Sequence, residues 1–571
     1  MINPYFDRCE YGNELKPPYS YTLDFAIGTT YSLSFEALIG VSRSLCYGLE
    51  AENKEIINEV FVLSMLDKIN KNIAVYCESG KISKPKTPSK LCFKLEDSIF
   101  QVAKERGIFH PKMWYIRYKN NQNKYKYKLI ILTKNITFNN NMDIICTFEG
   151  EKHNKKNIKN KGLIDFLNYI NKYTTNEEKR KKIDILIKEL PYIEFIHENF
   201  EEMEFIPIGI YNKKTNIKDI LYNHKNNQQT NTLIMTPFLE KKIINDFNEI
   251  SGNKNKNYLI TRQDELLKLD NKSCKNFKTY VLNEEIVENG DNDLHAKMYF
   301  IENNHQKNLY IGSLNATNNA FNNNIEILVR LKNNNLMIHK IANSIISPIE
   351  KITLFNLIEN IDEIKPQEYK EDKQEKEIQE IIRIITRSEK KAKIISKNHN
   401  YSVKIIFNLK NYNFKYAPEI SLFLINSYKS LNNIVTFDNV KIENLSMFYK
   451  IKVYSKEFVL KIDTENMPLK RDYYIYKSII KNQKDVLDYI YNMLDDIGLG
   501  EILIKTNSHH SISSNKLNNN VLNNLYEKLL KNSYDDPEII KKIYNTICEL
   551  DNNKINNQLK QMIKDFYEAL L

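Results

Sequence analysis

Two short stretches of the chain combine a histidine and a lysine at the same spacing. His295 and Lys297 lie two residues apart at the start of an apolar run, and His110 and Lys112 repeat this arrangement. In a β-strand, residues i and i+2 point to the same face, so each pair is predicted to address one spot. An imidazole that acts as nucleophile or base, next to a fixed ammonium group, suits attack on a phosphodiester. The chain therefore carries two candidate half-sites for phosphoryl chemistry.

Each pair is followed by a second apolar run that ends in an asparagine-containing turn. The second copy reads HAKMYFI and then LYIGSLNAT, which places Ser313 and Asn315 at the turn. The first copy reads HPKMWYI and then LIILTKNIT, which places Thr133 and Asn135 there. A hairpin would return each turn to its own histidine. We predict that the two asparagines reach the reacting phosphate and that Ser313 and Thr133 bind the substrate.

The spacing is more frequent than composition alone would produce. About one His-x-Lys triplet is expected by chance in a chain of this composition, and four occur. The triplets at His153 and His305 lie in polar segments outside any predicted strand and are interpreted as accidental. Those at His110 and His295 share the full two-strand pattern.

The length and composition indicate a globular protein of several domains. A chain of 571 residues is too long for one core and predicts about three or four domains or subdomains. We find no apolar run of about 18 residues and no signal segment at the amino terminus, so we expect a soluble cytoplasmic protein without a membrane partner. The seven cysteines are scattered and form no Cys-x-x-Cys pair, which predicts neither a disulfide framework nor a structural zinc. No metal and no other cofactor is expected.

Basic residues gather in three runs, and the formal net charge of the chain is +11. This charge favours attraction to nucleic acid. Lys126 and Tyr127, in the second run, are predicted to bind the substrate, because an aromatic and basic rim suits stacking on bases. Solvated loops are the alternative for each run. The three runs are Lys81–Lys90, Lys119–Lys128 and Lys152–Lys161.

Apolar runs alternate with helical periodicities in the same order on both sides of about residue 190, which predicts two α/β halves with mixed sheets. In the first half, the predicted strands are Tyr21–Ile27, Ile73–Glu78 and Leu91–Leu95, and the predicted helices are Ser32–Leu45, Ile56–Ile69 and Ser98–Lys104. In the second half, the predicted strands are Asn231–Thr236, Tyr258–Thr261 and Thr279–Leu282, and the predicted helix is Glu240–Ile250.

The rest of the chain shows no motif for chemistry. Short alternating runs predict a β-rich domain after a charged helical linker, and helices follow it. His509 and His510 are adjacent and point apart in an extended chain, so a solvated loop is the favoured interpretation. The predicted divisions are the halves 1–190 and 191–345, a helical linker 346–395, a β-rich domain 396–505 and a helical carboxy-terminal region 506–571.

With these residues in place, the chain resembles the phospholipase D superfamily, whose signature is a duplicated His-x-Lys strand followed by a turn that carries asparagine. The resemblance covers about residues 20–345 and implies two α-β-α halves with one site at their interface. It implies that one histidine attacks phosphorus and the other serves the leaving group, with His110 assigned as the nucleophile and His295 as the acid. It also implies that the lysines and asparagines hold the phosphate oxygens without a metal.

The resemblance implies two orienting carboxylates and includes two departures from the family pattern. Asp143 and Glu326 fall where such enzymes place an acid that orients a catalytic histidine. The longer signature has an aspartate five residues after each lysine, where Glu302 and Arg117 stand here. The nuclease and tyrosyl-DNA phosphodiesterase branches tolerate this loss. Trp114, the one tryptophan, belongs to an apolar strand and is predicted to lie in the core.

Three hypotheses follow from these observations. The leading one is a metal-independent phosphodiesterase acting on nucleic acid, with DNA favoured over RNA, and the resemblance suggests an endonuclease of a bacterial restriction or phage-defence system. The second is an inactive scaffold that binds nucleic acid and engages a protein partner, or forms a homodimer, through the carboxy-terminal region. The third is a phospholipid hydrolase, for which no amphipathic anchor is found.

Overall fold

We describe the fold from a computed structural model of the chain. The structure describes residues 3–4, 6–46, 58–156, 158–211, 217–222, 230–252, 254–283, 293–303, 307–348, 353–361, 373–398, 400–409, 412, 414–494, 519–550 and 554–571. His305, His509 and His510 lie outside these ranges, as does part of the predicted helix Ile56–Ile69.

The helices are α1 Tyr11–Leu15, α2 Phe35–Cys46, α3 Glu59–Ile69, α4 Lys161–Asn171, α5 Glu177–Glu189, α6 Lys241–Ile250, α7 Gln263–Leu266, α8 Asn318–Asn322, α9 Ile338–Ile346, α10 Lys373–Arg387, α11 Arg471–Ile479, α12 Gln483–Leu494, α13 Asn519–Asp535, α14 Pro537–Glu549 and α15 Asn557–Ala569.

The strands are β1 Thr22–Thr30, β2 Ile73–Glu78, β3 Ile82–Ser83, β4 Ile99–Val102, β5 Met113–Lys119, β6 Tyr125–Leu132, β7 Ile145–Lys152, β8 Ile193–Ile196, β9 Glu202–Ile208, β10 Asn231–Met235, β11 Tyr258–Thr261, β12 Lys278–Leu282, β13 Met298–Glu302, β14 Lys307–Gly312, β15 Glu326–Lys332, β16 Phe355–Ile358, β17 Lys390–Lys397, β18 Asn400–Phe407, β19 Glu419–Leu422, β20 Lys429–Ser430, β21 Ile434–Val440, β22 Phe448–Val453, β23 Lys456–Lys461 and β24 Thr464–Glu465.

Six strands have the same order in the two large sheets, and the seventh comes after them in the chain in the first sheet but before them in the second. The first sheet runs β4-β2-β1-β5-β6-β7-β8, and the second runs β12-β11-β10-β13-β14-β15-β9 with β16 added outside β12. In each sheet the first three strands of this order are parallel and the following neighbours are antiparallel. The mixed α/β architecture predicted from the sequence is confirmed, and the second half repeats the first.

One hydrophobic cluster contains buried side chains from both large sheets. Phe25 and Tyr115 of the first sheet belong to it together with Leu233 and Phe300 of the second. The strands are buried on both faces because helices cover the outer sides, which explains their nearly continuous apolar runs. On the outer side of the first sheet, Ser34 caps α2 by accepting a hydrogen bond from the Ala37 N–H at 3.1 Å.

Three element predictions are wrong. Leu91–Leu95, predicted as a strand, lies in a 3₁₀ segment that spans Lys90–Ser98. Ser98–Lys104, predicted as a helix, contains strand β4. Residues 390–395 were assigned to the helical linker but begin strand β17, which pairs with β18. Each segment is short, and its tertiary partners decide its conformation.

The region after α10 has two parts. Strands β17 to β24 form two small sheets, one of which also takes in β3 of the first half. Helices α11 to α15 pack into the same hydrophobic cluster as α2 and α3. The β-rich region and the terminal helices predicted from the sequence are both present, although α11 and α12 fall inside the span that was assigned to the β-rich domain.

Candidate active site

Both histidines lie where the two halves meet. Two isolated parallel bridges join the halves, Phe109 with Ile325 and Met142 with Leu294. At the first bridge, the His110 N–H donates to the Ile325 carbonyl at 3.0 Å, and at the second the His295 N–H donates to the Met142 carbonyl at 3.0 Å. Each histidine therefore stands three residues before a strand of its own half, while its backbone is held by the other half.

Each imidazole is paired with a carboxylate of the opposite half. His110 Nδ1 lies 2.8 Å from Glu326 Oε2, and His295 Nδ1 lies 2.7 Å from Asp143 Oδ1. Both acids stand at the positions predicted from the sequence, but each serves the histidine of the other half. A neutral imidazole that donates from Nδ1 keeps its lone pair on Nε2. This ring nitrogen is the atom that can attack or accept a proton.

Ser313 and Thr133 support the carboxylates and do not lie open to substrate. Ser313 Oγ donates to Glu326 Oε2 at 2.5 Å, and Thr133 Oγ1 donates to Asp143 Oδ1 at 2.8 Å. Both side chains are fully buried. The predicted contact of these hydroxyls with substrate is therefore corrected to a role in holding the acids. Asn324 adds a third hydrogen bond to Glu326, at 3.0 Å.

The two lysines are buried beneath the histidines. Lys112 Nζ donates to the His110 carbonyl at 3.0 Å, and Lys297 Nζ donates to the His295 carbonyl at 2.5 Å. Each ammonium interacts electrostatically with both Asp143 and Glu326. The structure thus brings two imidazoles, two ammonium groups and two carboxylates from both halves into one cluster.

Burial controls the protonation of this cluster. It lowers the pKa of His110 to about 4, against the opposing effect of Glu326. Burial and the nearby Lys297 lower the pKa of His295 to about 3, against Asp143. Burial also lowers the pKa of Lys112 to about 7, and burial with repulsion from Lys112 holds that of Lys297 well below its usual range. In the free protein at neutral pH both imidazoles are neutral, and burial outweighs the attraction of Asp143 and Glu326 in lowering the pKa of both lysines.

The two predicted asparagines are held differently. Asn135 Oδ1 accepts a hydrogen bond from the Tyr31 N–H at 3.3 Å, and the Tyr31 ring lies edge-on to His110 with 5.3 Å between ring centroids. In the second half the residue at the position of Tyr31 is Pro237, which has no N–H. Asn315 Oδ1 is buried and has no hydrogen-bond partner among the described residues.

Lys126 and Tyr127, predicted to bind the substrate, lie away from this cluster, so the structure does not bring them together with the histidines. They begin β6, whose opposite end leads to Thr133, so about 20 Å of strand separates them from the site. Tyr127 is buried and donates to Glu189, and Lys126 lies over the Tyr21 ring. The basic run Lys119–Lys128 therefore borders the far end of the sheet.

The other basic runs are divided between the two ends of the sheet. Strand β7 carries the chain away from the site toward Lys152–Lys161. Lys81, in contrast, lies 5.4 Å from the centroid of the Tyr31 ring and so stands beside His110. Arg117, one of the departures from the family pattern, pairs with Asp24 and Glu189.

Sequence reasoning missed several residues that border the site. Tyr31 and Glu78 flank the first histidine, and Arg262 flanks the second. They stand at the ends of β1, β2 and β11, and the convergence of parallel strand ends would have been the signal for them. The prediction that Trp114 lies in the core is confirmed, since it is fully buried and its Nε1–H donates to Tyr11 at 2.5 Å.

Comparison with known families supports what the residue pattern suggested. Residues 223–347 match the family model described as "Cardiolipin synthase, PLD-like domain". The chain contains a phospholipase D-like domain. The match covers the second half, and the first half repeats the strand order of this domain with its own His-x-Lys strand. No curated protein matches the chain.

Three solved structures are similar to the phospholipase D-like chain. Yeast tyrosyl-DNA phosphodiesterase has 13% identity and a TM-score of 0.34, with 55% of this chain and 84% of that chain covered. Phosphatidylserine synthase of Haemophilus influenzae has 10% identity and a TM-score of 0.34, with 60% and 84% covered. Polyphosphate kinase of Porphyromonas gingivalis has 13% identity and a TM-score of 0.31, with 58% and 43% covered.

Two further properties concern the described part of the chain. No three His, Cys, Asp or Glu side chains in it are grouped as a metal ion would require. None of its helices combines the length and the apolar character that a membrane span needs.

Proposed function

We propose that this phospholipase D-like protein is a phosphodiesterase that acts on nucleic acid through a phosphohistidine intermediate. The observation that carries the proposal is the reciprocal pairing of His110 with Glu326 and of His295 with Asp143 across the junction of the halves. Two imidazoles with free Nε2 atoms and two buried lysines in one cluster supply a nucleophile, an acid and the countercharge for a phosphate.

In the proposed reaction, His110 Nε2 attacks phosphorus while the bond from phosphorus to the leaving oxygen breaks. The bound phosphate anion raises the pKa of His295, so its Nε2 carries a proton in the complex, and His295 gives this proton to that oxygen. His295 then removes a proton from water, the water oxygen attacks phosphorus, and the bond from phosphorus to His110 breaks to release a phosphate monoester. Lys112, Lys297 and the amide groups of Asn135 and Asn315 stabilise the non-bridging oxygens in both steps.

A nucleic-acid substrate is supported by the charge around the site and of the whole chain. Lys81 stands beside the first histidine, and Arg262 stands beside the second. The chain carries a net charge of +11, and a phosphate backbone is the polyanion that such a surface attracts. We further propose DNA as the substrate and a role in a bacterial restriction or phage-defence system, as the resemblance to the nuclease branch implied.

Cleavage of plasmid and single-stranded DNA in EDTA tests the proposal. The wild type should cleave, whereas His110→Asn and His295→Asn should lose at least about 10³-fold in rate, because each removes a group that makes or breaks a bond. His153→Asn is the matched control, since His153 also belongs to a His-x-Lys triplet but is exposed beside Glu194. Equal activity in all four proteins, or loss of activity in EDTA, would contradict the proposal.

Covalent trapping separates an enzyme from a scaffold. With a ³²P-labelled oligonucleotide that ends in a p-nitrophenyl phosphate ester, whose leaving group needs no acid, His295→Asn should retain alkali-stable, acid-labile label, because it can form the phosphohistidine but cannot activate water. His110→Asn should retain none. Label on neither variant, together with tight binding of DNA by the wild type, would favour the scaffold. Release of head groups from phosphatidylcholine vesicles, without cleavage of DNA, would favour a phospholipid hydrolase.

A further inference from the structure

The two half-sites have corresponding strands, but the charged residues beside their histidines have opposite signs. Tyr76 and Ile260 pair with β1 and β10 at corresponding positions, so Glu78 and Arg262, two residues later, are equivalent. Glu78 Oε2 accepts a hydrogen bond from the Phe109 N–H at 2.6 Å, directly before His110. Arg262 Nε donates to the Leu294 carbonyl at 3.1 Å, directly before His295. The second histidine therefore has a guanidinium neighbour where the first has a carboxylate.

Arg262 also holds an exposed aromatic ring at the second half-site. Its guanidinium lies 4.7 Å from the centroid of the Phe238 ring, and its Nη2 pairs with Asp293 Oδ2 at 2.5 Å. Phe238 remains 38% exposed. Exposed phenylalanines are common on protein surfaces. This ring, however, is held on one face by the guanidinium group of Arg262, which is fixed in turn by the Leu294 carbonyl and the Asp293 carboxylate. One face is left for a ligand.

The first half has no counterpart to this ring. Thr30 Oγ1 donates to the Ser32 carbonyl at 2.7 Å, and Thr236 Oγ1 donates to the Phe238 carbonyl at 2.8 Å. These matching hydrogen bonds show that Ser32 occupies the position of Phe238. A small hydroxyl side chain cannot stack on a base. At this position a stacking ring is therefore present in the second half and absent from the first, whose own ring, Tyr31, lies edge-on to His110.

An unsatisfied acceptor lies in the same half. Asn315 Oδ1 is buried without a partner among the described residues, because Pro237 offers no N–H where Tyr31 serves Asn135. Thr236 Oγ1 accepts a hydrogen bond from the Ala316 N–H at 3.2 Å, which joins the turn that carries Asn315 to the loop that carries Phe238. A buried carbonyl oxygen without a donor is costly. A hydrogen-bond donor of a bound ligand would satisfy it.

We propose that the second half is the nucleoside-binding side of the site. Phe238, backed by Arg262, stacks on the base of the nucleoside attached to the reacting phosphate, and Asn315 Oδ1 accepts a hydrogen bond from a donor group of the bound nucleotide. The other ester group of the phosphate lies toward Tyr31 and Glu78 and needs no base. This proposal rests on the proposed function and adds the orientation of the substrate.

Hydrolysis of thymidine p-nitrophenyl phosphate and of its abasic deoxyribose counterpart tests the orientation. The thymidine compound and the abasic compound are each prepared as the 3′ and as the 5′ ester. All of these esters have the same p-nitrophenyl leaving group. Stacking of one base is worth about 1–3 kcal/mol. The wild type should therefore favour the thymidine compound by about tenfold in kcat/KM for one of the two esters. Phe238→Ala should bring this ratio close to one, whereas Phe238→Trp and the matched Ser32→Ala should retain it.

The outcomes separate this proposal from the proposed function. A wild-type ratio close to one, or a Phe238→Ala variant that loses equally on both compounds, would overturn the nucleoside-binding side. Absence of p-nitrophenol release by the wild type would instead contradict the phosphodiesterase. In that case the quenching of a 2-aminopurine dinucleotide decides: quenching by the wild type that Phe238→Ala loses supports the stacking surface, and equal quenching overturns it.

Discussion

At the scale of single residues, the exchange of carboxylates between the halves is the feature that joins two incomplete half-sites. Glu326 follows Asn315 in the chain but pairs with His110, and Asp143 follows Asn135 but pairs with His295. A carboxylate that fixes one imidazole tautomer makes its Nε2 available. Neither half alone holds an oriented histidine.

A double-mutant cycle should therefore show coupling across the halves. We expect Glu326→Gln to lower kcat, and its effect to couple more strongly to His110→Asn than to His295→Asn. Residues in direct contact couple by about 0.5–3 kcal/mol, and Glu326 contacts His110 directly. Single-turnover rates on a labelled oligonucleotide give the four activation free energies. Stronger coupling of Glu326 to His295 than to His110 would show that the exchange does not operate.

The lowered pKa values predict that anion binding takes up protons. In the free protein, burial lowers the pKa of Lys112 to about 7 and holds that of Lys297 well below its usual range. A bound phosphodiester brings a negative charge beside both ammonium groups and raises both pKa values. The affinity for dimethyl phosphate should therefore weaken as the pH rises above about 7, where Lys112 loses its proton in the free protein.

Titration calorimetry in buffers of different ionisation enthalpy measures this uptake directly. Dimethyl phosphate is a suitable probe because its own charge does not change over the neutral range. Lys112→Met should take up fewer protons than the wild type, while Lys81→Met, which changes a lysine outside the buried cluster, should not alter the uptake. Binding enthalpies that do not depend on the buffer would contradict the prediction.

The sequence predicted residue types at the site better than it predicted contacts. The strand periodicity placed His110 and Lys112 on one face, as it did His295 and Lys297, and the structure brings them together. It could not show that Thr133 turns inward to Asp143, because a hydroxyl next to a turn suits either substrate or protein. Nor could it show that the basic run Lys119–Lys128 lies at the end of the first sheet that faces away from the histidines.

At the scale of the elements, the second half reproduces the first closely enough for sequence periodicity to find both. The predicted strands Ile73–Glu78 and Tyr258–Thr261 agree with β2 and β11. The segment Leu91–Leu95 was mispredicted as a strand because its apolar residues are buried in a 3₁₀ segment. An apolar run of this length does not by itself indicate a strand. Short apolar runs do not distinguish strand from turn of helix until their neighbours are known.

The junction between the halves depends on a close backbone approach at Gly107. Its φ is +87°, and a Cβ there would lie 2.1 Å from the Asn323 carbonyl oxygen. We expect Gly107→Ala to lower the free energy of unfolding by about 1–3 kcal/mol. Activity should fall further than stability explains, because the adjacent bridge from Phe109 to Ile325 positions His110.

Gly40→Ala is the matched control for this substitution. Gly40 lies on the exposed face of α2, and a Cβ there meets no atom within 4 Å. Alanine at a helical position should stabilise the protein by about 0.4–1 kcal/mol. Urea unfolding and DNA cleavage are measured on both variants. A Gly107→Ala protein with wild-type stability and activity would show that the close approach does not constrain the junction.

At the scale of the whole molecule, the terminal helices complete the first half. Asp67 on α3 is 4% exposed and lies 3.2 Å from both Lys94 and Lys542. It also accepts hydrogen bonds from the hydroxyls of Tyr476 at 2.7 Å and Tyr489 at 2.9 Å. Contacts over more than 400 positions leave no local signal, so the sequence predicted these helices as a separate region.

We expect Asp67→Asn to destabilise the first half and the terminal helices together, by about 3–5 kcal/mol, because it removes the buried carboxylate that the buried Lys94 and the half-buried Lys542 share. Burial alone would raise the pKa of Asp67, but Lys94, Lys542 and the two tyrosine hydroxyls hold it below its usual value. A carboxyl whose pKa is lowered on folding contributes stability that is present above its unfolded pKa and lost as pH falls through the folded value. The difference in free energy of unfolding between wild type and Asp67→Asn, measured with urea, should therefore be largest at neutral pH and shrink only below about pH 4, near the ordinary pKa of an aspartate.

Asp472→Asn is the control, since its carboxylate lies 3.3 Å from Lys94 but its side chain is 49% exposed, and surface pairs contribute about 0–1 kcal/mol. If Asp67→Asn unfolds in two separate transitions, or unfolds as the wild type does, the buried cluster does not join the two regions.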